Sequence, residues 1–399
     1  MSGIDRREFL KAGAAGLLGL AAGEVGAAPE APRVRRRVVL GRTGLEVPDV
    51  GFGSSRLAGD VDVVLHALAR GITCFDTAES YTRGEAERTL GRALRGRRDE
   101  VVIATKTHCE AGTTREELMR NLDASLARLG TDHVEIYFNH AVNDPARLRN
   151  DEWKEFVARA KQQGKIRFTG MSGHGGRLVE CLEIALAEDL FDVWLVAHNF
   201  GQDPAFHESF TRSFDFVATQ PDLPRVLRAA RAKGVGIVAM KTLRGAKLND
   251  MRPYETGGAT FAQAALRWVL ASGLADALVV TMTSREQVDE YLGASGWTTA
   301  ARGDAELLAR YEALHGAEQC RYGCNACAGA CPSGVSIPDA LRARMYAEDY
   351  GDLELARSAW AEAGATGACL ACTAKPCLGA CPYGLPIGAL ATRAAERIG

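Results

Sequence analysis

The sequence predicts an α/β protein: a closed (β/α)8 barrel of the TIM type, followed by a smaller, mainly α-helical C-terminal domain. Between Val38 and about Gly296, short apolar runs alternate with amphipathic stretches. This alternation is typical of parallel strands separated by helices. Beyond it, eight of the eleven cysteines fall in the last eighty residues. The change in composition marks a second domain.

Eight apolar runs fit the eight strands of such a barrel. They are Val47–Gly53, Ile72–Phe75, Val101–Thr105, Val134–Phe138, Phe168–Met171, Val193–Ala197, Val235–Met240 and Ala277–Thr281. Helices are expected between them, among others over Arg115–Arg128, Glu152–Gln163, Pro224–Ala232 and Phe261–Ser272. An open doubly wound sheet is the alternative, but no Gly-x-Gly-x-x-Gly motif follows the first strand. A hairpin that turns at Gly44 is expected ahead of the barrel.

The clustered cysteines form two runs, each ending in Cys-Pro. The runs read Cys320-x3-Cys324-x2-Cys327-x3-Cys331 and Cys369-x2-Cys372-x4-Cys377-x3-Cys381. They resemble the run of bacterial ferredoxins, whose thiolates hold [4Fe–4S] clusters. If the crossed ligation of those proteins applies, the first three cysteines of each run share a cluster with the last cysteine of the other run.

Zinc and disulfides are the two alternatives for these cysteines. Structural zinc also takes four thiolates, although zinc ligands usually come as two separated pairs. Disulfide frameworks belong mainly to small secreted domains, and this chain is large. Two [4Fe–4S] clusters are therefore expected, or one if the extra residues after Cys320 or Cys372 prevent assembly. The segment between the runs, from Ile337 to Gly364, has helical periodicity and resembles an α-helical ferredoxin domain.

The N-terminus has the pattern of an export signal. Arg6-Arg7 precede Phe9-Leu10-Lys11, an uncharged run over residues 12–23 follows, and small residues end at Ala28. The arginine pair resembles a twin-arginine signal, which is read by the machinery that exports folded proteins. This agrees with a cluster that must be inserted in the cytoplasm. The expected location is therefore periplasmic or otherwise extracytoplasmic, and a cytoplasmic enzyme without a signal is the alternative.

These features divide the chain into four parts. We expect a signal peptide over residues 1–28, a linker over 29–37, the barrel over 38–300 and the cysteine-rich domain over 301–399. The apolar part of the signal has about twelve residues and is too short to span a bilayer, which takes about 20. The net charge of −2 gives no electrostatic reason to expect nucleic-acid binding.

Polar residues recur where the predicted strands end, the edge of such a barrel that carries catalysis. They are Asp76, Tyr81, Lys106, His140, Ser172, His198, Asn199 and Lys241. Any one of them is most simply a solvated loop residue, but the joint pattern favours a catalytic site. Tyr81 suits a proton donor, but a free tyrosine has a pKa of about 10. A nearby Lys106 cation would favour the phenolate, and Asp76 would keep that lysine charged.

The same residues lie in motifs that resemble the aldo/keto reductases. The motifs are Gly71-x4-Asp76-Thr77-Ala78-x2-Tyr81, the strand Val102–Lys106, Asp132-x3-Ile136-x3-His140, and Gly164-Lys165-Ile166-Arg167-x2-Gly170-x-Ser172. The resemblance implies Tyr81, Lys106, Asp76 and His140 as the catalytic residues, with His140 orienting the substrate carbonyl. It also implies a nicotinamide nucleotide held by Ser172, Asn199, Lys241 and Arg285.

The nucleotide site departs from the family pattern. Gly173 stands where members usually have Asn, and no Gln precedes Asn199 in the sixth strand. NADP(H) is thus expected from the resemblance alone. Free nicotinamide nucleotide is not expected outside the cytoplasmic membrane, so the alternatives are a cofactor that is exported already bound and electrons that arrive through the clusters.

The expected function is that of an exported oxidoreductase acting on a small carbonyl or alcohol, with the clusters exchanging electrons with a redox partner protein. The alternative is an electron-transfer protein whose barrel binds a partner or ligand without NADP-dependent turnover. The four intact catalytic positions favour the first hypothesis.

Overall fold

The structure, a computed structural model, describes residues 31–202, 222–244, 251–299, 301–315, 320, 324–348, 351–365 and 367–399. The expected signal peptide, residues 1–28, lies outside the described residues, whereas residues 31–37 of the expected linker are described. All the described elements belong to one compact unit, Arg33–Gly399.

Eight parallel strands close into a barrel, as the sequence predicts. A hairpin of β1 (Arg37–Val39) and β2 (Glu46–Pro48) precedes them. The barrel strands are β3 (Val50–Gly53), β4 (Cys74–Asp76), β5 (Val102–Thr107), β6 (Val134–Asn139), β7 (Ile166–Gly173), β8 (Val193–Ala197), β9 (Gly236–Met240) and β10 (Ala277–Thr281). Each strand pairs with the next in chain order, and β10 closes the ring on β3.

The predicted first strand, Val47–Gly53, is two strands. Val47 pairs with Val38 in the hairpin, and the barrel strand starts only at Val50. Asp49, between them, is fully buried, and its carboxylate accepts hydrogen bonds from the Ser295 hydroxyl and the Gly296 amide, both at 2.7 Å. These bonds fix the change of direction, which an unbroken apolar run does not reveal.

Helices cover the outside of the barrel. They are α1 (Val61–Ala69), α2 (Glu85–Ala93), α3 (Arg115–Leu129), α4 (Asp151–Gln162), α5 (Leu178–Ala187), α6 (Asp222–Ala232), α7 (Phe261–Ala271) and α8 (Arg285–Leu292). Their ends follow ordinary capping chemistry. The Thr114 side chain accepts from the Glu117 amide at the start of α3, and Gly130 ends that helix in the left-handed region.

The hairpin closes one end of the barrel, and the other end is open. Leu40, Leu45 and Val47 are buried in one cluster with barrel-interior side chains such as Phe138 and Leu195. The open end is the one where the strands terminate. We call this end, with the loops that follow the strands, the barrel mouth.

The region after β10 has two parts. Helix α9 (Arg302–His315) packs on the barrel, because the Tyr311 ring stacks on Phe261 of α7 at 4.4 Å. A helix that begins after the expected boundary at residue 300 therefore packs against a barrel helix. The second part contains α10 (Ile337–Glu348), α11 (Leu353–Glu362), α12 (Ala368–Ala371) and α13 (Ile387–Ile398), which we call the C-terminal domain. None of the described helices is long and apolar enough to cross a membrane.

Candidate active site

A buried lysine–carboxylate pair lies at the ends of two neighbouring strands. Asp76 is the last residue of β4, Lys106 lies in β5, and both are buried. Lys106 Nζ lies 2.7 Å from Asp76 Oδ1 and donates to the carbonyl oxygen of Thr77 at 2.5 Å. Parallel pairing brings the two strand ends together, so the lysine is held by groups that the barrel itself supplies.

Tyr81 lies directly above this pair. It begins a 3-10 helix, Tyr81–Gly84, and Lys106 Nζ is 5.0 Å from the centroid of its ring. Thr82 and Arg83 follow with φ of 47° and 57°, in the left-handed region that non-glycine residues rarely adopt. The Thr82 hydroxyl donates to the Leu57 carbonyl at 2.9 Å and so holds this strained turn.

His140 completes the group from the next strand. It follows β6, and its amide donates to the Thr107 carbonyl at 2.8 Å. Its ring meets that of Tyr81 edge to face at 5.8 Å between centroids and lies 4.7 Å from the ring of His108. The structure therefore brings Asp76, Tyr81, Lys106 and His140 together at the barrel mouth.

Burial controls the protonation of these groups. It raises the pKa of Tyr81 well above 10, and the charges of Asp76 and Tyr346 add to that effect. It lowers the pKa of His140 well below 6.5, with further lowering by His108 and Lys106. At neutral pH Tyr81 therefore holds its proton, and His140 is a neutral imidazole.

The raised pKa of Tyr81 differs from the expectation from the sequence, which was that Lys106 would favour the phenolate. The Asp76 carboxylate compensates the lysine charge at 2.7 Å, and Nζ faces the tyrosine ring. Burial lowers the pKa of Lys106 and raises that of Asp76, and the attraction between the two opposes both shifts. Burial thus outweighs the charge of Lys106, and the net pKa of Tyr81 lies above its usual value.

The residues expected to bind a nucleotide lie on the opposite side of the mouth. The Ser172 hydroxyl, in β7, accepts from the Ala141 amide at 2.9 Å. Asn199, after β8, donates to the Lys241 carbonyl at 3.2 Å and accepts from the Gly201 amide at 3.0 Å. Lys241, after β9, contacts the Tyr346 hydroxyl at 3.0 Å.

Arg285 has a different environment from these three residues. It starts α8 on the surface and pairs with Asp62 at 3.2 Å. A Cβ at Gly173 would lie 2.6 Å from Leu178 Cδ1, so the usual Asn fits there only if the Leu178 side chain moves. Ser172, Asn199 and Lys241 thus lie at strand ends as expected, Arg285 starts the helix after β10, and all four already have partners within the protein.

The chemistry of this donor set nevertheless fits a nicotinamide nucleotide. Ser172 and Asn199 offer a hydroxyl and an amide for a carboxamide, and Lys241 and Arg285 offer cations for phosphates. The buried hydroxyl of Thr242, beside Lys241, has no hydrogen-bond partner among the described residues. That unused polar group leaves capacity for a ligand at the end of β9.

Three residues of the mouth escaped the sequence reasoning: His108, His174 and Tyr346. His108 and His174 follow strand ends closely, so the strand-end pattern that identified His140 could have included them. Tyr346 lies in the C-terminal domain, and its hydroxyl is 3.3 Å from His174 Nε2. A contact between residues 172 positions apart leaves no signal in one sequence.

The eight clustered cysteines assemble in two groups of four. Burial raises the pKa of Cys327 to about 12, and the nearby thiols of Cys320, Cys324 and Cys381 raise it further. Burial also raises the pKa of Cys369, and here Cys331, Cys377 and Cys372 contribute. The neighbours are those that crossed ligation requires, with Cys381 and Cys331 exchanged between the runs.

These groups fit a cluster by their chemistry and their surroundings. None of the eleven cysteines, all of which are described, forms a disulfide. Cys331, Cys369, Cys372 and Cys377 line one partly open pocket together with apolar side chains of α10 and α13. In the described part of the chain, no three potential ligands are close enough to hold a single metal ion.

The barrel and its strand-end groups match a known family. The family model "Aldo/keto reductase family" matches residues 49–257, which is more than half of the chain. The chain belongs to the aldo/keto reductase family. It is thus an oxidoreductase, and the matched segment contains Asp76, Tyr81, Lys106 and His140.

Relatives and solved structures agree with this assignment. L-glyceraldehyde 3-phosphate reductase of Escherichia coli (strain K12) is 25% identical over 308 residues, covering 63% of this chain and 84% of the relative. L-galactose dehydrogenase of Arabidopsis thaliana is 26% identical over 311 residues, covering 69% and 92%. A thermostable aldo-keto reductase solved with the inhibitor epalrestat is 27% identical with a TM-score of 0.54, covering 68% of this chain and 98% of that one.

A reductase of Klebsiella pneumoniae, solved in complex with NADP and acetate, shares the fold. It is 24% identical with a TM-score of 0.52, and the match covers 71% of this chain and 96% of that one.

Proposed function

We propose that the barrel reduces a small carbonyl compound, or oxidises the corresponding alcohol, with Tyr81 as the proton donor and acceptor. The observation that carries this proposal is Lys106, buried between the Asp76 carboxylate at 2.7 Å and the Tyr81 ring at 5.0 Å. Such a desolvated and fixed arrangement favours a proton transfer more than a solvated surface site would.

Each residue has one task in this mechanism. In reduction, the carbonyl carbon accepts a hydride, and its oxygen takes the hydroxyl proton of Tyr81. The neutral ring of His140 donates a hydrogen bond to the same oxygen and orients it. Lys106 is a cation held by Asp76, so it stabilises the negative charge that develops on Tyr81. Oxidation of the alcohol follows the reverse steps.

NADP(H) is the proposed hydride carrier. The structure of the Klebsiella pneumoniae reductase with NADP supports this, as does the donor set of Ser172, Asn199, Lys241 and Arg285. A bound nicotinamide supplies the hydride. Titration of the purified protein with NADPH, followed by nucleotide fluorescence, tests the assignment, and an unchanged nucleotide signal at saturating protein would contradict it.

The decisive test of the barrel chemistry is Tyr81→Phe. We expect carbonyl reduction to fall by about 10²- to 10⁴-fold, because only the proton-transferring hydroxyl is removed. Tyr254→Phe, the same change at a half-exposed surface residue, is the matched control and should retain full activity. If Tyr81→Phe turns over carbonyls at the wild-type rate, the proposed mechanism is wrong.

The C-terminal domain is proposed to hold two [4Fe–4S] clusters that transfer single electrons to or from a redox partner protein. Cys320, Cys324, Cys327 and Cys381 would hold one, and Cys369, Cys372, Cys377 and Cys331 the other. The grouping of the thiols supports this ligation.

Anaerobic purification with iron analysis tests the clusters. We expect about eight iron atoms per chain, and about four in either Cys324→Ser or Cys369→Ser. Cys381→Ser should remove the same cluster as Cys324→Ser, as judged by the remaining electron paramagnetic resonance signal. Zinc in place of iron would refute the cluster assignment. Cluster reduction without any carbonyl turnover would favour the electron-transfer alternative.

Export is a separate proposal that rests on the N-terminal arginine pair. A folded protein carrying clusters suits the twin-arginine route, and the mature enzyme would then be extracytoplasmic. Fractionation of cells expressing wild type and Arg6→Lys/Arg7→Lys tests this. The wild type should appear outside the cytoplasm and the variant inside it, and a cytoplasmic wild type would favour the alternative location.

A further inference from the structure

The C-terminal domain lies across one half of the barrel mouth. The Asp339 carboxylate of α10 accepts hydrogen bonds from Asn143 Nδ2 at 2.6 Å and from the Gly176 amide at 3.2 Å. These two residues belong to the loops after β6 and β7. Ala197, at the end of β8, packs in one buried cluster with Ala343 and other α10 side chains. Ten of the twelve residues of α10 are buried, so the helix is enclosed on every side.

A second helix approaches from the opposite side of the mouth. Glu354 of α11 pairs with Arg83, in the loop after β4, at 2.6 Å. The Glu362 carboxylate, also on α11, is near enough to His108 to affect the pKa of that imidazole, which burial lowers overall. A substrate at Tyr81 and His140 is therefore bordered by side chains of the C-terminal domain as well as by the barrel.

Tyr346 is the residue that α10 contributes to the interior of the mouth. It is buried, and its hydroxyl lies 3.0 Å from Lys241 Nζ and 3.3 Å from His174 Nε2. Its ring meets the His174 ring edge to face, and Lys241 Nζ lies 4.7 Å from the ring centroid. Tyr346 is also close enough to Tyr81 for its charge to contribute to the raised pKa of that residue.

The mouth contains buried polar atoms whose hydrogen-bonding capacity is unused. Nδ1 of His140 and Nδ1 of His174 have no hydrogen-bond partner among the described residues. The two imidazoles influence each other, since His140 contributes to the lowered pKa of His174. Buried polar groups in native proteins are normally satisfied, so two unsatisfied imidazole nitrogens after the neighbouring strands β6 and β7 indicate a ligand with more than one polar group.

We propose that the C-terminal domain completes the active site, and that Tyr346 with His174 binds a hydroxyl group next to the carbonyl of the substrate. The preferred substrates are then hydroxy-aldehydes and hydroxy-ketones, and Tyr346 is a specificity-determining residue. This inference rests on the proposed function, because it assumes that the carbonyl itself lies at Tyr81 and His140.

The contacts of Tyr346 explain how it would recognise a hydroxyl. Lys241 Nζ donates to the Tyr346 oxygen at 3.0 Å, and a hydroxyl oxygen can accept a second hydrogen bond. Nδ1 of His174, on the ring that contacts Tyr346, has no hydrogen-bond partner among the described residues. A substrate hydroxyl, which both donates and accepts, can pair with these two groups. A site that hydrogen-bonds a hydroxyl rejects analogues without it, because its own polar groups then stay unpaired.

Hydroxyacetone and butanone test the inference, because they differ only by a hydroxyl in place of a methyl group. The assay uses the full-length protein with reconstituted clusters and NADPH. We expect Tyr346→Phe to lower the ratio of kcat/KM for hydroxyacetone to that for butanone by about tenfold, the effect of one hydrogen bond. His174→Leu should lower the same ratio, and Tyr254→Phe should not change it. A ratio that stays within about twofold of wild type in both Tyr346→Phe and His174→Leu overturns the inference.

A binding measurement separates this inference from the proposed function. Calorimetry with propane-1,2-diol and butan-2-ol, the corresponding alcohols, needs no turnover and no nucleotide. Tyr346→Phe should weaken the diol about tenfold and leave butan-2-ol unchanged, and equal losses for the two alcohols would contradict the inference. If Tyr81→Phe abolishes turnover while Tyr346→Phe changes no preference, only the inference fails. If Tyr81→Phe leaves turnover intact, the proposed function fails, and diol binding still decides the role of Tyr346.

Discussion

The barrel mouth contains two tyrosine–lysine pairs that differ in what surrounds the lysine. Lys106 is 5.0 Å from the ring of Tyr81 and is held by the Asp76 carboxylate at 2.7 Å. Lys241 is 4.7 Å from the ring of Tyr346, and no carboxylate lies within ion-pair distance of it among the residues the structure describes. Burial lowers the pKa of Lys241 to about 7, and the Arg342 cation contributes.

The difference shows what a single carboxylate does for a buried cation. With Asp76 present, the attraction opposes the cost of desolvation, and Lys106 is suited to stay charged beside the proton donor. Without such a partner, Lys241 titrates near neutral pH. The first pair is therefore suited to catalysis over a broad pH range, and the second to a binding role that changes with pH.

The largest loss of activity is expected from a substitution in the first pair, Lys106 and Tyr81. Lys106→Met removes the charge that stabilises the Tyr81 oxygen and should lower kcat by about 10²- to 10⁴-fold. At saturating NADPH, Lys241→Met should have a much smaller effect on kcat for butanone, which has no hydroxyl for Tyr346 and His174 to bind. Steady-state kinetics of both variants with this substrate make the comparison, and equal losses of kcat would remove the distinction between the two pairs.

Stability should distinguish the pairs as well. Asp76→Asn leaves the Lys106 ammonium buried without its carboxylate, and we expect a loss of about 3 kcal/mol in the free energy of unfolding. Glu362→Gln, which alters another carboxylate near the mouth, is the control and should lose much less. Chemical denaturation followed by circular dichroism measures both. A wild-type unfolding midpoint in Asp76→Asn would mean that Lys106 is uncharged before the substitution.

The second pair should respond to pH. Below about pH 7, Lys241 is protonated in the folded and the unfolded chain, so the cost of burying its charge is present in full. Between about pH 7 and 10.5 the folded chain has lost this proton and the unfolded chain retains it, so stability rises with pH. We therefore expect the Tm of wild type relative to Lys241→Met to increase over this range.

Thermal unfolding of both proteins in the same series of buffers measures this difference. The titratable and charged groups that face Lys241 are Tyr346 and Arg342 of α10, and His174 and His140 of the strand-end loops. A difference in Tm that is constant over the whole pH range would show that Lys241 does not titrate near neutrality.

The smallest effect is expected at the surface contact between the two domains. Arg83 and Glu354 form an ion pair at 2.6 Å, but their side chains are 82% and 70% exposed. Exposed pairs are screened by water and contribute little. Arg83→Ala should therefore leave Tm and the preference for hydroxyacetone unchanged, in contrast to Tyr346→Phe. A changed preference in Arg83→Ala would indicate that the position of α11 matters more than the hydroxyl of Tyr346.

Much of the barrel could be predicted because its signals are local. The strands Val193–Ala197 and Ala277–Thr281 have the predicted bounds, since each is an apolar run flanked by breaks. The prediction of Val47–Gly53 as a single strand was wrong, because the interruption at Asp49 depends on hydrogen bonds from Ser295 and Gly296, which are distant in sequence. Helix α9 follows the expected boundary at 300, and only its packing on Phe261 assigns it to the barrel.

The sequence alone predicted the barrel and the set of Asp76, Tyr81, Lys106 and His140, and it contains the two cysteine runs. These follow from short-range patterns: periodicity sets the strands, parallel strands align their ends, and cysteine spacing indicates a cluster. The tertiary structure alone decided that burial raises the pKa of Tyr81, that α10 lies across the mouth, and that Tyr346 meets Lys241 and His174. These properties depend on desolvation and on contacts between distant segments, and neither is encoded in local spacing.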